Sequence, residues 1–185
     1  MYNMSVKQRT VKLNLTTCPA NLKRDGYALF ACLNEDNKIA IGAKDKWYPK
    51  GIYRLAGGGI HKGEDPHDAG IRELEEEFQI KLTKEEFPQL VEVIVDAHTG
   101  EGDFKESFYI FTSNINSKDA IASDDIEAIA YLTKEEYNDL NKNFVSICVK
   151  DGNPNKSQDE WRDYATLFST IQTIVGEELE AAGLW

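Results

Sequence analysis

Cysteine is scarce in this chain. Three residues (Cys18, Cys32 and Cys148) among 185 are odd in number and widely spaced, which excludes a disulfide framework and fits a reducing compartment. Cys32 and Cys148 sit in apolar runs and read as small buried hydrophobes. No Cys/His set is present that would take zinc. Positive charge is also short, with 21 Lys and Arg against 32 Asp and Glu and a net charge of −11. Such a balance disfavours nonspecific binding to nucleic acid or to an anionic membrane. No apolar run approaches membrane-spanning length, and no N-terminal stretch has the form of a signal peptide. The expectation is a cytoplasmic protein without nucleic-acid or membrane partners. Repeats and low-complexity tracts are absent as well.

What remains is ordinary for a globular protein, 41% hydrophobic and 29% charged. The length suits one domain with a real core and is too short for two comfortable ones. Residues 1–149 read as the domain core, and residues 150–185 as a linker and C-terminal helix of the same domain. Strands are predicted at Val11–Leu15, Tyr27–Leu33, Lys38–Ala43, Tyr53–Ala56, Val91–Ala97, Ser107–Thr112 and Glu127–Leu132, with the second and third forming a hairpin across Glu35-Asp36-Asn37. Capping-box patterns begin helices at Thr133 and Ser157. From Ser157 to Ala182 the residues Trp161, Tyr164, Phe168, Ile171, Val175 and Leu179 make an amphipathic stripe. That stripe packs within the subunit, and the length of the helix leaves room for a homodimer too.

The segment Gly57–Ile80, GGGIHKGEDPHDAGIRELEEEFQI, carries the chemistry. It reads as a glycine-rich turn, a polar link, and a helix opened by Pro66, whose missing N–H would have no intrahelical partner. At 100° per residue Ile71, Leu74 and Phe78 share the packed side. Glu73, Glu76 and Glu77 gather opposite, with Glu75 largely away from them. Glu73 and Glu77 are like charges at i,i+4, a pair costing about 0.2–0.5 kcal/mol unless a cation intervenes. A solvated ion-paired face would place Lys or Arg four residues after each acid, and only Glu77 has one, Lys81.

These residues resemble the Nudix box, G-x5-E-x7-R-E-U-x-E-E-x-G-U, where U is a bulky aliphatic residue. Gly58 takes the opening position, Glu64 the first acid, Arg72-Glu73-Leu74 the R-E-U step, Glu76 and Glu77 the paired acids, and Ile80 the closing aliphatic. Gln79 stands where the family has glycine, just past the helix end. A Cβ there costs about 1–2 kcal/mol if φ stays positive; otherwise the helix must end differently. Ala56 stands where many relatives have proline.

The resemblance implies an α/β/α sandwich with a mixed β-sheet, and hydrolysis of a nucleoside diphosphate linked to another moiety. Clustered carboxylates are hard oxygen ligands suited to Mg²⁺ or Mn²⁺. Glu73, Glu76 and Glu77 are the expected metal ligands, one of them (Glu73 foremost) also serving as base. Arg72 and Glu64 form an orienting ion pair. Gly57, Gly58 and Gly59 give a tight turn and a close backbone approach to phosphate. Outside the box, Glu127 lies in DDIEAIAY, where some members carry a further metal-binding or basic acid, and Trp47 is a candidate to stack a base. The subclass markers for ADP-ribose, dinucleoside polyphosphate and NADH hydrolases are missing. Two other functions compete. One is a nucleotide-sensing module without turnover, which has no need of all three glutamates. The other is a prenyl diphosphate isomerase, for which Cys18 and Cys32 are only nominal nucleophiles.

Overall fold

The computed structural model describes residues 6–44, 48, 52–150 and 155–185. In chain order the strands are β1 (Gln8–Asn14), β2 (Tyr27–Phe30), β3 (Ile39–Ala43), β4 (Tyr53–Arg54), β5 (Ala56–Gly59), β6 (Gln89–Thr99), β7 (Gly102–Phe111) and β8 (Ala128–Leu132). Helix α1 (Pro66–Phe78) follows β5, and α2 (Lys134–Cys148) and α3 (Gln158–Ala181) close the chain. One sheet runs β1-β6-β7-β2-β5 and is mixed: β1 is parallel to β6 and β2 to β7, while the β6–β7 and β2–β5 pairs are antiparallel. A second, antiparallel sheet runs β4-β3-β8.

Strand β2 shows how the layers form. It is buried along its whole length, so both faces must be covered by other elements. Successive side chains point to opposite faces. Ala28 and Phe30 join Ala56, Leu74, Phe78 and Phe111 under α1. Tyr27 and Leu29 join Val93, Val95 and Phe108 beneath Tyr137, Phe144, Trp161 and Phe168 of α2 and α3. The expected α/β/α sandwich with a mixed sheet is the observed fold. Both expected capping boxes are present, Thr133 with Glu136 and Ser157 with Glu160.

Three local expectations are corrected. Strands β2 and β3 turn back on each other across Asn34–Lys38, but only a single bridge, Leu33 to Ile39, joins them before they part into different sheets. They are not a hairpin, because β2 finds longer partners in β5 and β7. The strand expected at Tyr53–Ala56 breaks at Leu55, whose N–H bonds Gln172 Oε1 of α3 at 2.9 Å. The glycines 57–59 are not a turn; they are most of β5. The amphipathic stripe of α3 is buried within the chain, every one of its six residues under 4% exposed.

Gln79 ends α1 in the left-handed conformation, φ 57° and ψ 26°, and its N–H reaches Glu75 O. The helix therefore keeps the ending that a glycine would favour and bears the Cβ strain. Gln79 is exposed, so its side chain contributes no packing in return. Gln79→Gly is expected to raise stability by about 1 kcal/mol and Tm by about 2–4 °C. Thermal unfolding of the two proteins checks this.

Candidate active site

Helix α1 is started by Asp65, whose carboxylate accepts the N–H groups of His67 and Asp68, with Pro66 as the first helical residue. Leu74 and Phe78 fix the packed side as expected. Glu73 and Glu77 are also buried, at 8% and 1% exposure, because the helix lays them against β5. The glycines of that strand make room for them. A Cβ on Gly58 would sit 2.5 Å from both carboxylate oxygens of Glu73. Gly57 has φ +122°, and a Cβ there would collide with the backbone of Ala28 and Leu29.

Arg72 ties the acids together. Its Nε and Nη2 donate to the two oxygens of Glu64 at 2.8 and 3.0 Å, a bidentate fork. Nη1 donates to Glu73 Oε1 at 2.6 Å and to Glu76 Oε2 at 3.1 Å, and Nη2 also reaches Gly59 O at 3.2 Å. Hydrogen bonds from Arg72 hold the Glu64 carboxyl down at about 2, against burial. Burial outweighs Arg72 at Glu73 and pushes that carboxyl above its ordinary value. Glu73 Oε1 carries the arginine bond; Oε2 receives no hydrogen bond among the described residues.

Glu77 is held differently. Its Oε2 accepts the Gly57 N–H at 2.6 Å, and its Oε1 accepts from Lys44 Nζ. Lys44 is itself buried and lies 2.8 Å from Asp125 Oδ1, as an ion pair outside hydrogen-bond geometry. Burial drives the Glu77 carboxyl up to about 7 despite the lysine. Asp125 is also pushed up by burial, but Lys44 outweighs it and the net direction is down. All these groups open on one cleft of about 880 Å³. Glu73, Glu76, Glu77, Asp124 and Asp125 line it with Gly57–Gly59, as do Arg24, Tyr27, Tyr48, Arg54 and Lys156. A volume of that order accepts a nucleotide-sized ligand.

The family model for the NUDIX domain matches residues 23–149, more than half of the chain. The chain belongs to the Nudix family of hydrolases. No curated protein matches it in sequence. Similar solved structures include a MutT/nudix family protein from Enterococcus faecalis, 18% identical with a TM-score of 0.49; the match covers 58% of this chain and 43% of that one, so the chain spans less than half of that protein. A MutT protein from Methanosarcina mazei is 12% identical over 91% of this chain and 97% of its own, with a TM-score of 0.48. An Ap4A hydrolase from C. elegans is 14% identical over 78% and 98%, with a TM-score of 0.47. At such identities none of them speaks to substrate.

The Nudix box residues Glu64, Arg72, Glu73, Glu76 and Glu77 come together as the sequence implied, and Gly57, Gly58 and Gly59 lie beside them. Glu75 is on the outer surface, paired with Lys81 at 2.7 Å. Lys81 therefore serves Glu75 and not Glu77, whose cation is Lys44. Glu127 is not in the cleft: its N–H bonds Ala43 O at the entry to β8 and its side chain is exposed. The acids that this stretch gives the cleft are Asp124 and Asp125, just before it. Trp47 lies outside the described residues; its neighbour Tyr48 lines the cleft and stacks on Tyr164 at 5.0 Å. Cys32 is fully buried outside the cleft, its thiol pushed up to about 12 by burial, and is no nucleophile.

Sequence reasoning missed Lys44 and Arg54. Lys44 ends an alternating strand, where a lysine is unremarked. Arg54 had a signal, since it interrupts the otherwise apolar Ile52-Tyr53-Arg54-Leu55-Ala56.

The Glu64–Arg72 fork makes a pH prediction. The Glu64 carboxyl is lowered from 4.5 to about 2 on folding. Its stabilisation is thus fully present above pH 4.5 and is lost as pH falls through about 2. Urea titrations of the wild type and Glu64→Gln should show a stability gap that is constant from pH 7 to 5 and narrows below pH 4.5. A gap unchanged at pH 3 would contradict the pair's assigned strength.

Proposed function

We propose that the chain is a divalent-metal-dependent hydrolase that cuts the diphosphate of a nucleoside diphosphate linked to another moiety. The observation supporting this is that three box glutamates and the side-chain-free strand β5 meet on one nucleotide-sized cleft. Among the described residues no three ligating side chains yet converge on a point, since Arg72 and Lys44 hold the carboxylates. The donor chemistry nonetheless fits Mg²⁺ or Mn²⁺, being hard oxygen throughout, and both charges now compensating it are cations.

Glu73, Glu76 and Glu77 would hold the metal. When bound, it supplies neutralisation of the diphosphate and a lowered pKa for the attacking water. Arg72 orients Glu73 through Oε1, and Glu64 orients Arg72. Oε2 of Glu73 is then the free basic atom, and it takes the proton of the attacking water. Burial helps, because a carboxylate held above its ordinary pKa is a better base near neutrality. Gly57–Gly59 bind by offering bare backbone to the phosphoryl groups.

The test is a phosphate-release screen over nucleoside diphosphate derivatives with Mg²⁺ and Mn²⁺. Glu76→Gln should lower kcat/KM on the best substrate by about 10–100-fold or more while unfolding normally. Glu75→Gln, on the surface, should leave it unchanged. Near-normal turnover by Glu76→Gln would remove it from the metal site. If no compound is turned over while one binds tightly, the chain is a nucleotide-sensing module instead.

A further inference from the structure

Three of the five arginines in this acidic chain are held by carboxylates. Arg9 pairs with Glu177 and Glu178, Arg72 with Glu64, Glu73 and Glu76, and Arg162 with Asp159 and Asp163. The other two arginines, Arg24 and Arg54, have no carboxylate within ion-pair distance among the described residues, and both line the cleft.

Arg54 is the telling one. It is 4% exposed. Its Nη1 donates to the carbonyl of the next residue, Leu55, at 2.8 Å, and among the described residues its Nε has no partner. The guanidinium lies between two rings, 4.7 Å from the centroid of Phe168 and 5.4 Å from that of Tyr48. The acid whose charge it feels, Glu77, has both oxygens engaged, by Lys44 and by Gly57 N–H. Rings stabilise a cation but do not neutralise it. A buried charge without a paired anion is among the costlier features a fold can carry. Arg24 stands close by, its guanidinium lying on Gly59, where a Cβ would meet Nη1 at 2.8 Å. It too is set against a ring, that of Tyr27, at 5.9 Å.

We propose that Arg54, assisted by Arg24, is the receptor for a phosphate group of the substrate other than the diphosphate that is cleaved. This rests on the hydrolase reading for which diphosphate is cut, but not for the existence of the subsite. A stacked neutral base would leave the buried charge as uncompensated as before. A phosphate dianion both neutralises it and accepts in the planar two-point geometry that a guanidinium offers. The cleft has room for such a group beyond a diphosphate. The glutamates stand along the wall with Gly57–Gly59, and Arg54 precedes that strand at the break in Leu55. The favoured substrate then carries an additional phosphate, as an ester on the nucleoside or as a further member of the phosphate chain.

Matched pairs separate those sources. Binding of NADP against NAD tests a phosphate ester on the ribose, and ATP against ADP tests an added chain phosphate, all by calorimetry in EDTA so that turnover plays no part. In the wild type the more phosphorylated member of one pair should bind at least about tenfold more tightly. Arg54→Met should bring that ratio to near one, with the less phosphorylated member changed by less than about twofold. Arg24→Met, altering an exposed side chain, should lower the ratio partway, and it decides the matter if Arg54→Met does not fold. Equal affinities within both pairs, or a loss by Arg54→Met shared equally by both members, overturns the proposal. The second result would mean ring packing, or a contact to the common diphosphate. The Mg²⁺ screen is separate: discrimination without turnover of any compound would sink the hydrolase reading and leave this subsite standing, and turnover without discrimination would do the reverse.

Discussion

A carboxylate can lie against a strand backbone only where that strand has no side chains. This constraint governs the cleft. Gly58 leaves the space in which the Glu73 carboxylate lies against β5, while Gly57 lets that strand lie close to β2 and gives its N–H to Glu77. Arg72 can reach Glu64, Glu73, Glu76 and the Gly59 carbonyl at once because the helix is so near. The Gly57 N–H can bond Glu77 for the same reason. A single methyl group at Gly58 would displace the Glu73 carboxylate from the strand that faces it.

Burial has an electrostatic consequence. The protein carries a large negative charge, yet its cleft is lined by alternating signs. Glu77 and Asp125 are bridged by Lys44, Glu64 and Glu73 by Arg72, and each pair is shielded from water on at least one side. Isolated carboxylates in such a place would protonate. Pairing with cations offsets part of that tendency, and burial still raises the Glu73 and Glu77 carboxyls. The arrangement keeps negative charge where a low dielectric makes it most effective.

The sequence was informative where the chemistry is local. Residues from Gly57 to Ile80 follow one another along a strand, a link and a helix, so fixed spacings translate directly into a shared site. The sandwich was implied by the family resemblance, while alternation and two capping boxes located several of its strands and helices. Contacts that bridge distant segments were not. Nothing around Lys44 or Asp125 marks them as partners of Glu77, because their pairing depends on β3 and the segment before β8 arriving side by side. The same limit displaced Glu127, since period-2 reasoning cannot say which of the acids in one short stretch face the cleft. The glycines were read as a turn because glycine serves turns more often than it serves close packing. The helix wheel separated acids from apolar residues correctly but could not say that Glu73 and Glu77 would be buried, which depends on the glycine strand they lie against.

The break at Leu55 joins the C-terminal helix to the glycine strand β5. Gln172 takes the Leu55 N–H, and Phe168, one turn away on the same helix, is a wall for Arg54. Both belong to the part of the chain beyond the family match, which ends at residue 149. The box glutamates are therefore part of the shared family framework, while the ring beside Arg54 comes from the C-terminal helix. Such a division lets the two be altered independently: a lineage could exchange what the cleft admits by redrawing one helix face, leaving the glutamates and their arginine untouched.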